Sequence, residues 1–555
     1  MTRAADRRGP KPIVFSGGPI LTMADPLRVD ALTVQGDRIV WAGTLQECRA
    51  SAGSDREEHD LAGRTLMPGF VDAHCHPLML GQTQSWVDIG PRVAPSIDEL
   101  VLLLAEHARR LPRGVPLRAF GYDYRRLTER RQPLARDLDR AATDREIYVM
   151  NVSGHGGCVN SFGLKAHGIT AQTPTPAGGE IGRNPDGTPN GLLWDSACDL
   201  LTGVDGVKIR NHGPNIHLPE PAEVAGRQLD RALHQFLRAG VTTVVDAQVS
   251  RRETEAYIAA RDAGRLDVRV NMMVISAFLD EALQLGLVGR LGDDWLAFSG
   301  IKLYADGALG GLTAYFPEGY AAEPDNHGVL YHEPGEFSTL MGRAHRAGLQ
   351  TGTHAQSPAA IAIVLDAVEA AQRESPRPDM RHAIEHSGLA TDDQIARMAR
   401  AGMVPVTQPQ HHLQFGDGVV RTVGPQMAQA LNPIGHYARA GIPVVLSSDA
   451  PVAFPRPLEA VQAAVERRTV GGTVLGGPDL CVNVLTALRG YTIGGAYRAH
   501  QEHRVGSLEP GKLADFAILA TDPTAVPVSE LSAIAVEETW VGGQPIEAPG
   551  RGPSG

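Results

Sequence analysis

The sequence predicts an α/β protein. Its centre is a parallel TIM-type (β/α)8 barrel, joined to a composite β-sandwich from both chain ends and carrying a large insertion after the first barrel strand. Three observations predict this architecture. Strand-like runs with tight turns occupy both ends of the chain, short β-branched runs alternate with helical patterns through the middle, and one long segment separates the first two candidate barrel strands. Alternating strands and helices are typical of parallel sheets, and eight such units close a barrel.

The composition indicates a globular chain and limits its partners. The chain has 555 residues, of which 43% are hydrophobic and 21% charged, enough for a barrel with additional elements. A formal net charge of -11 argues against nucleic acid or an anionic membrane as partner. No apolar run has the length of a membrane span, and the N-terminus lacks a secretory pattern. The five cysteines are scattered and contain no C-x-x-C pair, so we expect a cytoplasmic protein without thiolate metal sites.

Residues 1–64 and 504–555 are predicted to form the composite β-sandwich. The strand-like runs are Ile13–Phe15, Ala31–Val34, Arg38–Ala42, Ala514–Leu519 and Glu538–Val541. Chain termini usually lie close together, so strands from both ends can share one unit.

The barrel is assigned to residues 65–77 and 240–503. Its candidate strands are Leu66–Val71, Val241–Asp246, Val268–Ile275, Gly300–Tyr304, Leu349–His354, Arg381–Glu385, Val404–Thr407 and Pro443–Ser448. Helical patterns such as Ala359–Ala371 and Asp392–Ala401 lie between them.

Residues 78–239 are predicted to be an inserted subdomain or lid. The segment contains a helical pattern at Ile97–Arg110, a strand-like run at Glu146–Asn151 and a Gly/Pro-rich stretch from Thr173 to Gly191. It is too long for an ordinary β-α loop, so we expect it to cover the barrel mouth.

Two histidines, His74 and His76, follow the first candidate barrel strand just before Pro77. Side chains at positions i and i+2 of a strand point to the same side, so both imidazoles can hold one ion while Cys75 faces away. Catalytic groups of barrels lie at the C-terminal ends of the strands. The pair alone is a weak signal, because two surface histidines give the same pattern.

Three later strands also end in residue types that bind metals. His354 and His386 end two strands, and Asp449 follows the last one. For each residue alone, a buried histidine or a turn aspartate is the favoured interpretation. Four strand ends with metal-ligand side chains form a much rarer coincidence, so the combination predicts a metal site.

Lys302 lies within the fourth candidate strand. A charged lysine is costly to bury, so it needs a partner or a chemical modification. A salt bridge to Asp306 or Asp449 is one interpretation, and reaction with CO₂ to an anionic carbamate that bridges two metal ions is the other. Asp306 is also a candidate substrate-binding residue.

One protease signature is rejected. His382 to His386 matches H-x-x-E-H, which requires a helix that brings both histidines to one face. Pro376, Pro378 and Gly388 flank the motif and favour a loop and a short strand. In a strand these histidines lie roughly 13 Å apart at about 3.3 Å per residue, too far to share one ion.

The insertion contributes two further candidates. His155 and Asn160 lie in a Gly-rich loop after a strand-like run, and we expect both to face the substrate from the lid. The alternative that His155 satisfies loop backbone groups stays open.

In combination these motifs resemble the amidohydrolase superfamily, and most fully its YtcJ-like branch, which includes N-substituted formamide deformylases. The similarity extends over nearly the whole chain. The matching stretches are Met67–Pro77, Ser153–Ser161, Lys302–Ala314, Thr353–Ala355, Arg381–Ser387, Ser448–Val452 and Gly506–Asp515.

The resemblance implies a zinc-dependent hydrolase. By position, His74 and His76 would bind a first metal ion and His354 and His386 a second. Carboxylated Lys302 would bridge the two ions, and Asp449 would act as ligand and base. The sequence departs from the family after His354, where His-Ala-Gln-Ser-Pro replaces the usual H-A-x-G-D.

The predicted function is hydrolysis of a non-peptide C–N bond, in an amide or N-substituted formamide of a small molecule, by metal-activated water. Cyclic amide opening, deamination and ester or carbamate hydrolysis remain open, because function resides in the pocket rather than the barrel. A barrel that has lost catalysis and serves as a binding or regulatory protein is the alternative from another class. One or two zinc ions fit the pattern, and a homodimer is a default expectation.

Overall fold

Eight parallel strands form the nearly closed barrel that the sequence predicts. The structure is a computed structural model that describes residues 10–546, so the outermost parts of the predicted sandwich segments, 1–9 and 547–555, lie outside the described residues. Each barrel strand pairs with the next along the chain. Their bounds are Phe70–Cys75, Val241–Val249, Arg269–Ile275, Leu296–Tyr304, Thr351–Ala355, Ala383–His386, Val404–Thr407 and Val445–Leu446. A short strand, Leu291–Gly292, pairs antiparallel with the fourth.

The first predicted strand, Leu66–Val71, is two strands in the structure. Thr65–Pro68 pairs with Phe516–Leu519 in the sandwich, and the barrel strand begins at Phe70. Gly69 lies between them, where an added Cβ would come within 2.3 Å of the Thr242 hydroxyl oxygen. One apolar run thus serves two sheets, and its periodicity carries no sign of the change.

The two ends of the barrel sheet meet through backbone hydrogen bonds. The amide of Asp449 donates to the carbonyl of His74 over 2.9 Å, and the amide of His76 donates to the carbonyl of Ala450 over 2.8 Å. The first and last strands are therefore tied together at the end where the predicted metal ligands lie.

Helices surround the barrel and pack on it through apolar faces. Asp392–Ala401 begins at a capping box formed by Thr391 and Gln394 and ends at Gly402, whose φ is 62°. The other α-helices are Pro77–Ser85, Ala222–Arg238, Arg251–Asp262, Leu279–Gln284, Pro334–Arg346, Pro358–Glu374, Pro409–Val423, Pro425–Ala428, Ile434–Arg439, Pro457–Glu466, Val484–Gly490 and Ile493–Arg498. Short 3₁₀ helices cover Ser276–Phe278 and Pro478–Leu480.

Strands from both ends of the chain form two sheets. One contains Ile13–Ser16, Ala31–Gln35, Arg38–Gly43 and Glu57–Asp60, and the other contains Ile20–Leu21, Arg28–Val29, Thr65–Pro68, Phe516–Leu519, Val536–Val541 and Gln544–Pro545. The rings of Phe15, Phe516 and Trp540 pack between the sheets, with centroids 5.0 Å from Phe15 to each of the other two. The helix Leu45–Ala52 packs on the first sheet, and a 3₁₀ helix covers Val528–Ala533.

The long segment after the first barrel strand builds its own sheet. Its six strands are Val87–Asp88, Leu117–Tyr122, Ile147–Asn151, Gly156–Val159, Gly179–Arg183 and Pro189–Asp195. Helices Ile97–Arg110, Ala135–Leu138 and Ser161–Ala166 and the 3₁₀ helix Ser196–Thr202 accompany it. Within residues 10–546, none of the helices combines the length and the apolar composition that crossing a bilayer requires.

Candidate metal and active site

His74 and His76 lie where the first barrel strand ends, and their imidazoles converge on one carboxylate. The Nε2 atoms of His74 and His76 are 3.4 and 3.3 Å from Asp449 Oδ1. All three side chains are buried. Donor atoms from the three residues lie within 4.8 Å of one another, close enough to hold one metal ion.

Asp449 follows the eighth strand in a conformation that L-residues rarely adopt, with φ at 60°. Burial alone would raise the pKa of its carboxyl group, but hydrogen bonding to His74 and His76 holds the pKa well below its ordinary value. The aspartate is therefore ionised and can serve as an anionic ligand or a proton acceptor.

His354 and His386 end the fifth and sixth strands, and their ring centroids lie 4.4 Å apart. His354 Nε2–H donates to the Gly307 carbonyl over 3.1 Å, and His386 Nδ1–H donates to Gln408 Oε1 over 2.8 Å. Burial holds the pKa of both imidazoles well below the ordinary value, so both are neutral. Each ring thus retains one unprotonated nitrogen, the form that binds a metal.

Lys302 is fully buried in the fourth strand, with Nζ 4.6 Å from the centroid of the Tyr304 ring. Among the described residues Nζ has no hydrogen-bond partner and forms no ion pair with Asp306 or Asp449, so the salt-bridge interpretation is not supported. Burial lowers the pKa of the amine to about 8. A buried amine without a partner is consistent with a group completed by a ligand or a modification.

Glu385 and Arg498 form a hydrogen-bonded pair next to His74, and the sequence analysis missed both. Glu385 Oε2 accepts a hydrogen bond from His74 Nδ1 over 2.6 Å, and its other oxygen accepts from Arg498 over 2.5 Å. Hydrogen bonding at Nδ1 directs Nε2 of His74 toward the site. In the sequence, Glu385 stands out only as part of the protease signature. Arg498 lies more than a hundred residues further along the chain, so nothing in the sequence indicates that the two side chains pair.

His411 is a further missed member of the cluster. It lies in the first turn of the helix Pro409–Val423, with Nε2 3.4 Å from Asp449 Oδ2. His386, His411 and Asp449 form a second group whose donor atoms lie within 4.8 Å of one another. The position of His411 just after the seventh strand was the available signal.

Asp246 belongs to the same end of the barrel, in the second strand. Its Oδ1 is 3.9 Å from His76 Nδ1, and its Oδ2 accepts a hydrogen bond from Tyr257 over 2.7 Å. Burial raises the pKa of this carboxyl group to about 7.

Asn160 and Asp306, both predicted to bind the substrate, make hydrogen bonds with backbone groups in the structure. Asn160 caps the helix Ser161–Ala166, and its side-chain oxygen accepts from the amides of Ile147 and Gly163. Its side-chain nitrogen donates to the carbonyls of Ala142 and Arg145, so no polar group is left for a substrate.

Asp306 is likewise occupied by backbone groups. Its carboxylate accepts hydrogen bonds from the amides of Tyr315, Gln356 and Ser357. It therefore holds the loop after His354, the loop where the sequence departs from the family pattern, and its contact with a substrate stays a prediction.

His155 does reach the cluster. Its ring centroid lies 5.7 Å from that of His354, and Nδ1 is 2.8 Å from Asp195 Oδ1. A cavity of about 40 Å³ separates the insertion from the barrel end. It is lined by His74, His76, Met79, Ser153, Gly154, His155, Pro214, Ile216, Gln248, Tyr304, His354, His386, Asp449 and Val452.

Within the segment His382 to His386, Ala383–His386 is a strand, as expected, and no protease helix forms. His382 lies outside the cluster, where its Nδ1 contacts the backbone and hydroxyl groups of Thr351 and its Nε2 is 2.9 Å from His345 Nδ1. His386 alone joins the metal-ligand candidates.

Comparison with known proteins agrees with this geometry. Residues 57–546 match the model of the amidohydrolase family. The chain is 31% identical to an N-substituted formamide deformylase of Arthrobacter pascens, over 92% of this chain and 94% of that protein. It is 28% identical to the putative amidohydrolase YtcJ of Bacillus subtilis, over 96% of this chain and 98% of that protein.

A crystal structure of an uncharacterised metal-dependent hydrolase from Pyrococcus horikoshii has a similar fold. It superimposes with a TM-score of 0.74 at 25% sequence identity and covers 94% of this chain and 99% of its own. The match of family, barrel and clustered ligand residues leads to one conclusion: this chain belongs to the amidohydrolase family and is a hydrolase.

Proposed function

We propose that this amidohydrolase is zinc-dependent and hydrolyses the C–N bond of a small neutral amide, with N-substituted formamides as the first substrates to test. The observation that carries the proposal is the convergence of His74 and His76 on Asp449 at the barrel end. The similarity to an N-substituted formamide deformylase supports the choice of substrate.

The donor set fits a zinc ion. Two imidazole nitrogens and a carboxylate oxygen are the ligands that catalytic zinc sites use, and His74 is oriented by a carboxylate as such ligands usually are. Lys302, as a carbamate, together with His354 and His386 would hold a second ion. Bound zinc supplies a Lewis acid that polarises a carbonyl oxygen and lowers the pKa of water.

Asp449 is the candidate general base. Its carboxylate is ionised and borders the cavity, so it can accept a proton from the attacking water and return it to the leaving nitrogen. As the C–N bond breaks, the carbonyl carbon keeps the water oxygen and the nitrogen leaves as an amine. No other described side chain in the cavity wall is acidic.

The cavity supports a substrate with a small acyl group. Its volume is about 40 Å³, and a single water needs about 10–15 Å³ measured in the same way. A formyl group fits such a space better than a longer acyl chain. The remaining wall is largely apolar, at Met79, Pro214, Ile216 and Val452, and it contains no arginine to bind a substrate carboxylate.

Metal content and turnover test the proposal together. We expect protein purified without chelator to contain one or two zinc ions per chain by elemental analysis, and to release formate from N-butylformamide. Lys302→Ala should lower the zinc content if a bridging carbamate holds a second ion, and leave it unchanged at one ion if Lys302 is only structural. Absence of zinc, together with no activity after zinc is added, would overturn the proposal.

Asp449→Asn separates binding from catalysis. Because an amide oxygen can still coordinate but cannot accept the proton, we expect turnover to fall at least 100-fold, the lower end of the usual contribution of a general base, while most of the zinc is retained. Unchanged turnover in this variant would remove Asp449 from the role of base.

A further inference from the structure

A chain of three buried side chains begins at His155, which lines the cavity, and continues behind the cavity wall. Asp195 Oδ1 accepts hydrogen bonds from His155 Nδ1 over 2.8 Å and from the Tyr331 hydroxyl over 2.5 Å. His155 and Asp195 belong to the insertion, whereas Tyr331 lies in the loop after the fourth barrel strand. The barrel and the insertion therefore jointly fix the orientation of the His155 ring.

These contacts determine where the proton of His155 resides. A carboxylate only accepts hydrogen bonds, so Nδ1 carries a proton and Nε2 is the ring nitrogen left for another partner. Among the described residues Nε2 has no hydrogen-bond partner, and the ring borders the cavity.

Asp195 adopts a conformation that is unusual for a non-glycine residue. Its φ is 52°, at the end of the strand Pro189–Asp195, and its amide donates to the carbonyl of His155 over 2.6 Å. Strained backbone of this kind persists where the surroundings over-determine it, and it clusters at functional sites. Here it holds the carboxylate against the imidazole.

Three other polar side chains that line the cavity, Tyr304 and Gln248 of the barrel and Ser153 of the insertion, already make hydrogen bonds. Tyr304 donates its hydroxyl hydrogen to Gln248 Oε1 over 2.5 Å, and Gln248 Nε2 donates to the carbonyl of Pro214 over 2.7 Å. Ser153 Oγ accepts a hydrogen bond from the amide of His155 over 3.3 Å. On the insertion side, His155 Nε2 is thus an acceptor that remains for a ligand.

We propose that His155 Nε2 accepts a hydrogen bond from the N–H group of the substrate amide, with Asp195 and Tyr331 as positioning residues. The site then selects primary and N-monosubstituted amides against N,N-disubstituted amides and esters, which leave this acceptor unmatched. The inference rests on the proposed function and narrows its substrate class. A site built to hydrogen-bond a substrate N–H rejects analogues that lack it far better than an apolar pocket rejects a missing methylene.

Three matched compounds test this selectivity: N-butylformamide, N-butyl-N-methylformamide and butyl formate. For the wild-type protein we expect kcat/KM on N-butylformamide to exceed that on the N-methyl compound by about 10- to 100-fold, the usual effect of an unmatched buried polar group. In His155→Leu the ratio should fall close to one. His155→Gln keeps a hydrogen-bond acceptor, so we expect this variant to retain part of the preference for N-butylformamide.

Asp195→Ala tests the positioning role. We expect the ratio of kcat/KM between N-butylformamide and its N-methyl analogue to fall in the same way, because the His155 ring loses the partner that fixes its orientation. A purely structural defect would instead reduce turnover of all three compounds equally. His167→Leu is the matched control. His167 is another insertion histidine bonded to a carboxylate, Glu146 at 3.1 Å, and this variant should retain the wild-type ratio.

Calorimetric binding of the same compounds to the zinc-loaded protein separates the two proposals. A preference for the N–H compound in binding that His155→Leu abolishes, without turnover of any compound, would overturn the proposed function and support the role of His155. Turnover with an undiminished N–H preference in His155→Leu would overturn the role of His155 and leave the proposed function intact.

Discussion

At the scale of single residues, three of the candidate metal-binding histidines have their second ring nitrogen engaged in a hydrogen bond. His74 is held through Nδ1 by Glu385, His386 through Nδ1 by Gln408, and His354 through Nε2 by the Gly307 carbonyl. Each bond fixes one tautomer and leaves the other nitrogen for the cluster. The hydrogen bonds at the second ring nitrogen explain why the rings of His74, His354 and His386, on three different strands, point into one cluster.

Glu385→Gln should weaken zinc binding without removing a ligand. Loss of the carboxylate behind His74 typically costs about 10- to 100-fold in metal affinity. It also leaves Arg498 buried without its charge partner. We expect a rise of this size in the zinc dissociation constant measured by chelator competition. Glu369→Gln, at a partly exposed ion pair with Arg397, is the control, and equal affinities in both variants would contradict the supporting role of Glu385.

At the scale of elements, the helix Ile493–Arg498 brings Arg498 to Glu385 because two glycines allow it to approach the barrel closely. A Cβ at Gly495 would lie 2.7 Å from the carbonyl oxygen of Val71, and one at Gly494 would lie 2.2 Å from that of Val444. These contacts involve backbone on the first strand and on the segment leading into the eighth. The helix therefore spans the seam at which the barrel sheet closes.

Gly495→Ala should destabilise the protein although alanine favours helices. The added methyl group overpacks against the first barrel strand, which typically costs about 1–3 kcal/mol in the free energy of unfolding. Urea denaturation measures this change. Gly226→Ala is the matched control, because Gly226 lies in the helix Ala222–Arg238 with open space around it. There we expect stabilisation of up to about 1 kcal/mol; equal effects at both sites would contradict the close-packing argument.

At the scale of the whole molecule, the candidate metal ligands connect the two ends of the barrel sheet. His74 and His76 belong to the first strand region, and Asp449 follows the eighth strand. An ion held by all three would cross the same seam as the backbone hydrogen bonds of Asp449 and His76. Because binding to the folded state alone stabilises that state, zinc should act on global stability as well as on catalysis.

Removal of zinc should therefore lower the thermal unfolding midpoint. Free zinc at about 100 times its dissociation constant contributes about 2.7 kcal/mol by linkage. For a chain of this length we expect a fall of a few degrees on chelation and recovery when zinc is restored, measured by calorimetry. The double variant His74→Ala/His76→Ala should show no response to zinc, and a midpoint independent of zinc in the wild-type protein would contradict the bridging role.

The sequence by itself determined the barrel, the sandwich strands at both chain ends and the ligand types at four strand ends. Hydrophobic periodicity and residue position after a strand are local properties, so they are readable without a structure. Strand ends of one barrel necessarily meet at one face, and for this reason His74, His76, His354, His386 and Asp449 could be predicted as a cluster.

Tertiary structure decided what depends on contacts between distant segments. The pairing of Glu385 with Arg498, the approach of His411 to Asp449 and the shared orientation of His155 by Asp195 and Tyr331 join residues from separate elements. The same holds for Asn160 and Asp306, whose polar groups turned out to be saturated by backbone. Hydrogen-bond satisfaction is a property of the folded surroundings, and no local pattern encodes it.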